Sequence, residues 1–269
     1  MKNILIAGYP RSGNTWVNSL FSYYFNAPYY DAAIEEAILT GKSMLDVVRA
    51  YNDAGLSGEH HRSDQKKEIL SVIQTHALAD KFCHTHPKFL AKQSYNSADF
   101  LVLIVREPKD VAVSYFYYRL FFERRLHQHW SSGLPVTWRE WFYHRFYFQK
   151  FVLNMAREWT TFHQSWLVYN PFVIHYESLL SEPVAQIRRF TDAFGLSFYP
   201  QYAKEAEEFC RFSNLGKREA RHLKDQKVVS QNEKFIRSGK AGGWKEYFST
   251  SLVENLDNVT APVKTKIGY

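Results

Sequence analysis

Apolar and polar positions change period several times along the chain, and each change marks an element. Residues 4–7, ILIA, form a short apolar run that ends at Gly8 and passes into the polar stretch YPRSGNT. Beyond it Trp16, Leu20, Phe21 and Tyr24 recur at helical spacing, so the opening predicts a strand, a glycine loop and a helix. Between 32 and 80 the segments AAIEEAIL, MLDVVRAY and KKEILSVI carry helical patterns, and GLSGEHHRSDQ at 55–65 predicts an exposed loop among them. FLVLIV at 100–105 is apolar on every residue, as expected of a strand buried on both faces of a parallel sheet. In REPKD, which follows, Pro108 opens a helix and Asp110 falls in its first turn, with VAVSYFYYRLFFERR continuing the helix.

SSGLP at 131–135 breaks the pattern, and TWREWFYHRFYFQKFVLNMAREW predicts another helix. FVIHY at 172–176 is a third buried strand; ESLLSEP reads as a loop, with Pro183 near a helix start and Gly195 at that helix's end. Strands alternating with helices predict an α/β fold. The expected architecture is a single domain over residues 1–269, with a mainly parallel central sheet flanked by helices and a P-loop-like start.

Composition adds two constraints to this picture. Aromatic residues make up 17% of the 269 residues, a surplus that asks for a core built on rings, a ring-lined pocket, or both. The formal net charge of +7 favours an anionic partner without choosing among nucleic acid, a phosphorylated ligand and an acidic surface. Cys83 and Cys210 lie far apart with no C-x-x-C partner, so neither a disulfide framework nor a cysteine zinc site is indicated, and a reduced, cytoplasmic protein is expected. FLVLIV, the longest apolar stretch, is too short to span a bilayer, and no export or anchoring signal is visible.

The stretch from Gly8 to Thr15, GYPRSGNT, has the glycine spacing of G-x-x-x-x-G-K-[ST], but Asn14 stands where the lysine belongs. Backbone N–H groups of a strand-to-helix glycine loop converge on one spot, and the helix dipole favours an anion there. A nucleotide triphosphatase adds the loop lysine and a strand-end carboxylate that helps hold magnesium. Here FLVLIV ends in Arg106 instead, whose planar fork suits a second anion, and Ser114 inside the next helix adds a hydroxyl. The residues therefore suggest a nucleotide with two separate anionic groups, handled without an obvious metal.

GYPRSGNTW, LVLIVREPKDVAVSYFYY, VIHYESLLSEP and FIRSGKAGGWKEYF, in that order and spacing, resemble the sulfotransferases that use 3'-phosphoadenosine 5'-phosphosulfate (PAPS), especially the cytosolic type. The resemblance implies that the first loop binds the 5'-phosphosulfate and that the second anion is the 3'-phosphate. The family's P-[KR]-S-G-x-T-W is matched by Pro10, Arg11, Ser12, Gly13, Asn14, Thr15 and Trp16. By resemblance Arg11 stabilises charge on the departing phosphate, Thr15 and the Gly13 and Asn14 amides hold phosphate oxygens, and Trp16 stacks near adenine. Arginine stays protonated, so its part in catalysis is electrostatic.

The same resemblance gives Arg106 and Ser114 to the 3'-phosphate. RSGKAGGW, set against the family's R-K-G-x-x-G-D-W, adds Arg237 and Gly239, with Trp244 as an anchor; Ser238 and Gly243 replace its lysine and aspartate. Tyr176 matches an adenine-contacting tyrosine, and Phe212 in CRFSN matches an adenine-packing phenylalanine more loosely. His86 in THP is set against the base of the family's K-T-H-L-P, with His84 at the lysine position and as fallback, and Lys88 as a substitute cation. Tyr118 is the expected acceptor-site ring.

The implied reaction is in-line transfer of the sulfuryl group to a hydroxyl or amine of a small-molecule acceptor, leaving adenosine 3',5'-bisphosphate, with no metal. No nucleic-acid or membrane partner is implied, and KEYFSTSLVE at 245–254 resembles a dimer motif of the family, which implies a homodimer. Two rivals from other classes are a P-loop kinase or nucleotide triphosphatase, which the missing lysine opposes, and a basic single-strand nucleic-acid binder, which leaves the ordered motifs unexplained. A sulfotransferase-like chain without activity is a third, suggested by His84, Ser238 and Gly243.

Overall fold

A computed structural model of the chain describes residues 2–31, 65–81, 99–119, 136–211, 214 and 241–269. By contacts these fall into two compact units, residues 1–105 with 165–222 and residues 106–164 with 223–269.

The first unit holds a five-stranded sheet in the order β2-β3-β1-β4-β5. Its strands are β1 (Lys2–Gly8), β2 (Tyr29–Asp31), β3 (Ile69–Thr75), β4 (Asp99–Val105) and β5 (Phe172–His175). Every neighbouring pair is parallel. β1 is central, and the chain extends the sheet first on its β3 side and then on its β4 side. In open parallel sheets, ligands bind outside the carboxyl end of the strand where the order reverses, which here is β1. As its all-apolar pattern predicts, β4 is buried at Phe100 and from Val102 to Val105.

β3 corrects one expectation. KKEILSVI was expected to be helical, yet Ile69–Thr75 pair with β1 on one side and with β2 on the other. The run ILSVIQT fits both periods, and flanking strands on both edges satisfy its backbone groups while Ile69 and Val72 enter the core. ESLLSEP is the second correction. Tyr176–Ser181 form a short helix, α4, before Pro183 opens the next.

Helix α1 (Asn14–Phe25) buries Leu20, Phe21 and Tyr24 of the face its spacing predicted, with Val17 beside them, while Trp16 is only half-buried. α5 (Pro183–Phe194) begins at its proline and ends at Gly195, whose φ of 63° is the left-handed cap a glycine permits. α6 (Pro200–Phe209) follows in the same unit. Phe190 is the hub of the ring-built core, with centroids 4.9 Å from Phe21, 5.5 Å from Phe172 and 5.9 Å from Phe100. Such ring pairs contribute about 0.5–1.5 kcal/mol each beyond area burial.

In the second unit, α2 (Pro108–Tyr118) starts at its proline, with the Glu107 carboxylate accepting from Lys109 N at the cap. A single-turn 3-10 helix (Gly243–Glu246) leads into α7 (Thr250–Ile267), whose cap is the Ser249 hydroxyl. Most of α3 (Val136–Leu167) belongs here, and its last residues belong to the first unit. Phe148 and Phe151 of α3 pack on Phe116 of α2 at 5.0 and 5.5 Å. The helices AAIEEAIL and MLDVVRAY, nearly all of the loop at 55–65 and the break at 131–135 lie outside the described residues.

Candidate active site

The loop between β1 and α1 turns on two left-handed residues, Arg11 at φ 71° and Gly13 at φ 95°. A non-glycine residue held there costs about 1–3 kcal/mol, and such strain collects at functional sites. Gly13 is required for a second reason: a Cβ at that position would stand 2.4 Å from the Tyr176 ring. Gly13 also caps α1, its carbonyl accepting from Trp16 N and Val17 N at 3.0 and 3.1 Å. Among the described residues no side chain caps this helix, and its first turn holds no acidic residue. The helix therefore presents backbone N–H groups and its positive pole to the loop. The Ser12 hydroxyl is fully buried and, among the described residues, has no hydrogen-bond partner, which suits a loop built to receive an oxyanion.

Asn14 answers the question raised by the missing lysine. Its side chain turns back under the loop, where Nδ2 donates to the carbonyls of Tyr9 at 3.0 Å and Gly8 at 3.3 Å. A Cβ on Gly8 would lie 1.8 Å from Asn14 Oδ1, so that glycine makes room for the amide. A lysine here would extend toward terminal phosphates; this residue instead turns its side-chain amide back to brace the loop.

Beside the brace stands a histidine that the sequence reading passed over. Ala7 of β1 is in register with Thr75 of β3, so Gly8 and His76 leave the sheet at the same level. His76 Nδ1 lies 2.6 Å from the Gly8 carbonyl oxygen, and its Nε2 lies 2.6 Å from Gln74 Nε2. Half-buried at the carboxyl end of β3, His76 is the described histidine next to the glycine loop. His84 and His86 lie outside the described residues, as do Lys88, Phe212, Arg237, Ser238 and Gly239.

Two residues expected near adenine do meet. Trp16 and Tyr176 pack edge to face with centroids 5.6 Å apart. Trp16 Nε1 also donates to the Cys210 carbonyl at 2.8 Å, tying α1 to the segment that leads to Phe212.

The second unit contains the other expected anion ligands. Arg106 and Ser114 are both buried, 7% and 8% exposed, one just before α2 and one in its second turn. Asp110, first noticed only as a first-turn acid, does more. Its carboxylate accepts from Gly242 N at 2.6 Å and from Trp244 N at 3.1 Å, pinning the described end of RSGKAGGW to α2. Gly242 has φ 80°, so the pinned turn needs its glycine.

Lys109 stands over the Trp244 ring, 5.0 Å from its centroid, and bonds Asp257 at 2.6 Å and Glu107 at 3.0 Å. Lys264 reaches the same two carboxylates at 3.1 and 3.4 Å. Burial alone would lower the Lys109 pKa, but the hydrogen bond to Asp257 and the charge of Glu107 outweigh it and raise it. For Asp257, burial is likewise outweighed, by the hydrogen bonds from Lys109 and Lys264, and its pKa falls. Tyr118 stacks on Tyr115 of the same helix with centroids 6.3 Å apart, and Tyr115 packs on Phe151 at 5.7 Å. Among the described residues no group of three or more His, Cys, Asp or Glu side chains is placed to hold a metal ion.

A family model described as the sulfotransferase domain matches residues 1–268. The chain belongs to the sulfotransferase family. This sulfotransferase is 24% identical to mouse sulfotransferase 1B1 over 270 residues, covering 96% of the chain and 81% of the relative. It is 23% identical to flavonol 3-sulfotransferase of Flaveria bidentis over 279 residues, with 96% and 80% covered. Its fold is shared with mouse sulfotransferase SULT7A1 solved in complex with PAP, at a TM-score of 0.60 and 20% identity over 98% of this chain and 84% of the other. A retinol dehydratase solved with androsterone and inactive cofactor PAP matches at a TM-score of 0.59 and 18% identity, covering 100% and 83%.

The signal that could have found His76 was present in the sulfotransferase's own sequence: Thr75-His76 is a T-H pair one residue beyond the run ILSVI. Reading that run as helix removed the strand end on which the pair sits.

Proposed function

We propose that this sulfotransferase moves the sulfuryl group of PAPS to a hydroxyl or amine of a small-molecule acceptor, with His76 as the base. The observation that carries the reading is the uncapped, positively poled start of α1, with the unpartnered Ser12 hydroxyl beneath it and His76 one strand away. A sulfuryl donor is an anion, and this loop offers N–H groups without the lysine that a triphosphate would recruit.

In this reading the Gly13 and Asn14 amides and Thr15 hold the 5' side, Arg11 stabilises the departing phosphate, and Trp16 and Tyr176 face adenine. Arg106 and Ser114 take the 3'-phosphate, with Arg237 and Gly239 assigned by resemblance. His76 takes the acceptor proton as its oxygen or nitrogen bonds to sulfur and the bond from sulfur to the 5'-phosphate oxygen breaks; adenosine 3',5'-bisphosphate leaves. A small, apolar acceptor is supported by the retinol and androsterone named with the structural neighbours and the flavonol named with a relative. A cytoplasmic enzyme is supported by the relative called cytosolic sulfotransferase 16 of Arabidopsis thaliana.

Two histidines compete for the base, and substitution separates them. Calorimetry with adenosine 3',5'-bisphosphate, 5'-AMP and ATP-magnesium is run first. The bisphosphate is expected to bind, and binding is expected to weaken without the 3'-phosphate or in Arg106→Ala. A positioned base contributes about 10²–10⁴ in rate, so His76→Ala is expected to lose that much kcat while still binding the bisphosphate. Full activity in His76→Ala with the loss appearing in His86→Ala would return the role to His86. Binding of ATP-magnesium in place of the bisphosphate would sink the PAPS reading.

A further inference from the structure

His76 does not stand alone; the polar groups around it form a chain of fixed direction. The Gly8 carbonyl can only accept, so His76 Nδ1, 2.6 Å away, carries the proton, and Nε2 of the neutral ring holds the lone pair. Among the described residues Gln74 Nε2 stands 2.6 Å from His76 Nε2 and therefore donates to that lone pair. Gln74 Oε1 is then left facing the Tyr29 hydroxyl at 3.1 Å and Asn18 Nδ2, both of which donate to it. Gln74 and Asn18 are 4% and 0% exposed, so bulk water does not blur these roles.

The opposite tautomer would set a ring lone pair against the Gly8 oxygen and an N–H against the Gln74 amide, two mismatches at 2.6 Å. Asn14 Nδ2 could donate to an unprotonated Nδ1, but it lies 3.3 Å away and its hydrogens already serve the Gly8 and Tyr9 carbonyls.

We infer that Gln74 is a positioning residue for the base: together with the Gly8 carbonyl it holds the His76 tautomer whose Nε2 bears the lone pair, and its amide occupies the place an acceptor hydroxyl takes. The inference rests on His76 being the base and adds how that base is prepared. Tyr29 and Asn18 hold the Gln74 oxygen away from the ring, so the amide nitrogen faces His76. An acceptor reaches Nε2 by replacing the Gln74 N–H with its own O–H, exchanging one hydrogen bond for another. The ring therefore keeps a partner, and its tautomer, throughout the exchange.

Two isosteric changes separate this role from packing. Gln74→Met keeps the size and removes the donor; Gln74→Glu keeps the shape and offers a carboxylate that accepts from Nε2–H, so both ring nitrogens become protonated against Gly8 and the new carboxylate. Nitrogen NMR of the full chain with labelled histidines, assigned through His76→Asn and recorded at about pH 8, where free imidazole is neutral, reads the state directly. Wild type is expected to show a protonated Nδ1 and a bare Nε2, and Gln74→Glu to show both protonated. In kinetics Gln74→Glu is expected to approach the loss of His76→Ala, about 10²–10⁴ in kcat, and Gln74→Met to lose less, both with unchanged affinity for adenosine 3',5'-bisphosphate.

A wild-type ring protonated on Nε2, or a Gln74→Glu spectrum identical to wild type, would overturn the inference and leave the base assignment intact. A ring protonated on Nδ1 in a chain whose His76→Ala variant is fully active would remove the base itself, and the role of Gln74 with it. The wild-type spectrum decides the tautomer even where a Gln74 variant fails to fold.

Discussion

The loop after β1 and the start of α2 are both read as anion-binding regions, yet they are built from different groups. Around the loop the buried polar side chains are neutral: Ser12, Asn14, Asn18 and Gln74. At the start of α2 they are mostly charged, Arg106, Lys109 and Asp110, with the neutral Ser114 a turn further on. The first region relies on the shape of a backbone turn and on the direction of hydrogen bonds, so it should be sensitive to a single added atom. The second relies on charges that hold one another, so it should tolerate small changes of shape and respond to changes of charge and pH. Buried neutral groups lose about 1–3 kcal/mol when left unpaired, and hydrogen bonds to charged groups are stronger than neutral ones.

The largest expected effect breaks the loop by shape alone. Gly13→Ala adds one methyl at φ 95°, 2.4 Å from the Tyr176 ring. The left-handed backbone alone costs about 1–2 kcal/mol with a side chain, and Tyr176 must also move. Affinity for both 5'-AMP and adenosine 3',5'-bisphosphate is expected to fall by more than about tenfold, the equivalent of 1.4 kcal/mol. Calorimetry on the two ligands checks it: an equal loss for both assigns Gly13 to the 5' side, and unchanged affinity would mean that the loop does not hold the donor.

Charge is the lever in the second region. Asp110→Asn keeps the shape but turns one of two acceptor oxygens into a donor that faces a backbone N–H, either Gly242 at 2.6 Å or Trp244 at 3.1 Å in the native pairing. The cost is about 1–3 kcal/mol for a buried group left without its partner. The pinned turn ends the segment that carries Arg237 and Gly239, so bisphosphate affinity is expected to fall by about tenfold while 5'-AMP affinity stays. An equal fall for both ligands would refute the division between the two regions.

The sequence made the two regions legible to different depths. Strand, glycine loop and helix at 4–24 follow from local spacing, and so do β4, Pro108 and Gly195, because each depends on residues within a turn or two. The role expected of Arg11 came from resemblance, whereas Arg106 and Ser114 were read as a second anion site from the strand end and the following helix, and resemblance named that anion as the 3'-phosphate. What failed was nonlocal. β3 fits two periods, and only its neighbours β1 and β2 decide between them, so the strand end that presents His76 went unread. Asp110 looked like an ordinary first-turn acid because its partners, Gly242 and Trp244, lie more than a hundred residues away in sequence. The direction of the Asn14 side chain likewise depends on Gly8 leaving space for it, which no spacing rule contains.

The smallest effect expected is a pH dependence that belongs to the charged region. The Asp257 pKa is lowered from 3.8 in the folded chain, so its bonds to Lys109 and Lys264 add stability that is present above that value and lost as pH falls through the folded pKa. The Lys109 pKa is raised from 10.5, so its contribution is complete below that value and lost as pH rises through the folded pKa. Between these limits Asp257 and Lys109 add no slope. Asp257 is 39% exposed at its side chain, so solvent screening keeps its acid-side contribution below about 1 kcal/mol. Urea unfolding of wild type and Asp257→Asn should therefore show wild type ahead at neutral pH and the two converging below pH 3.8. Convergence identifies the carboxylate as the source of the difference; a gap that persists into acid would assign it to packing, and the charged region would then resemble the neutral one in what holds it.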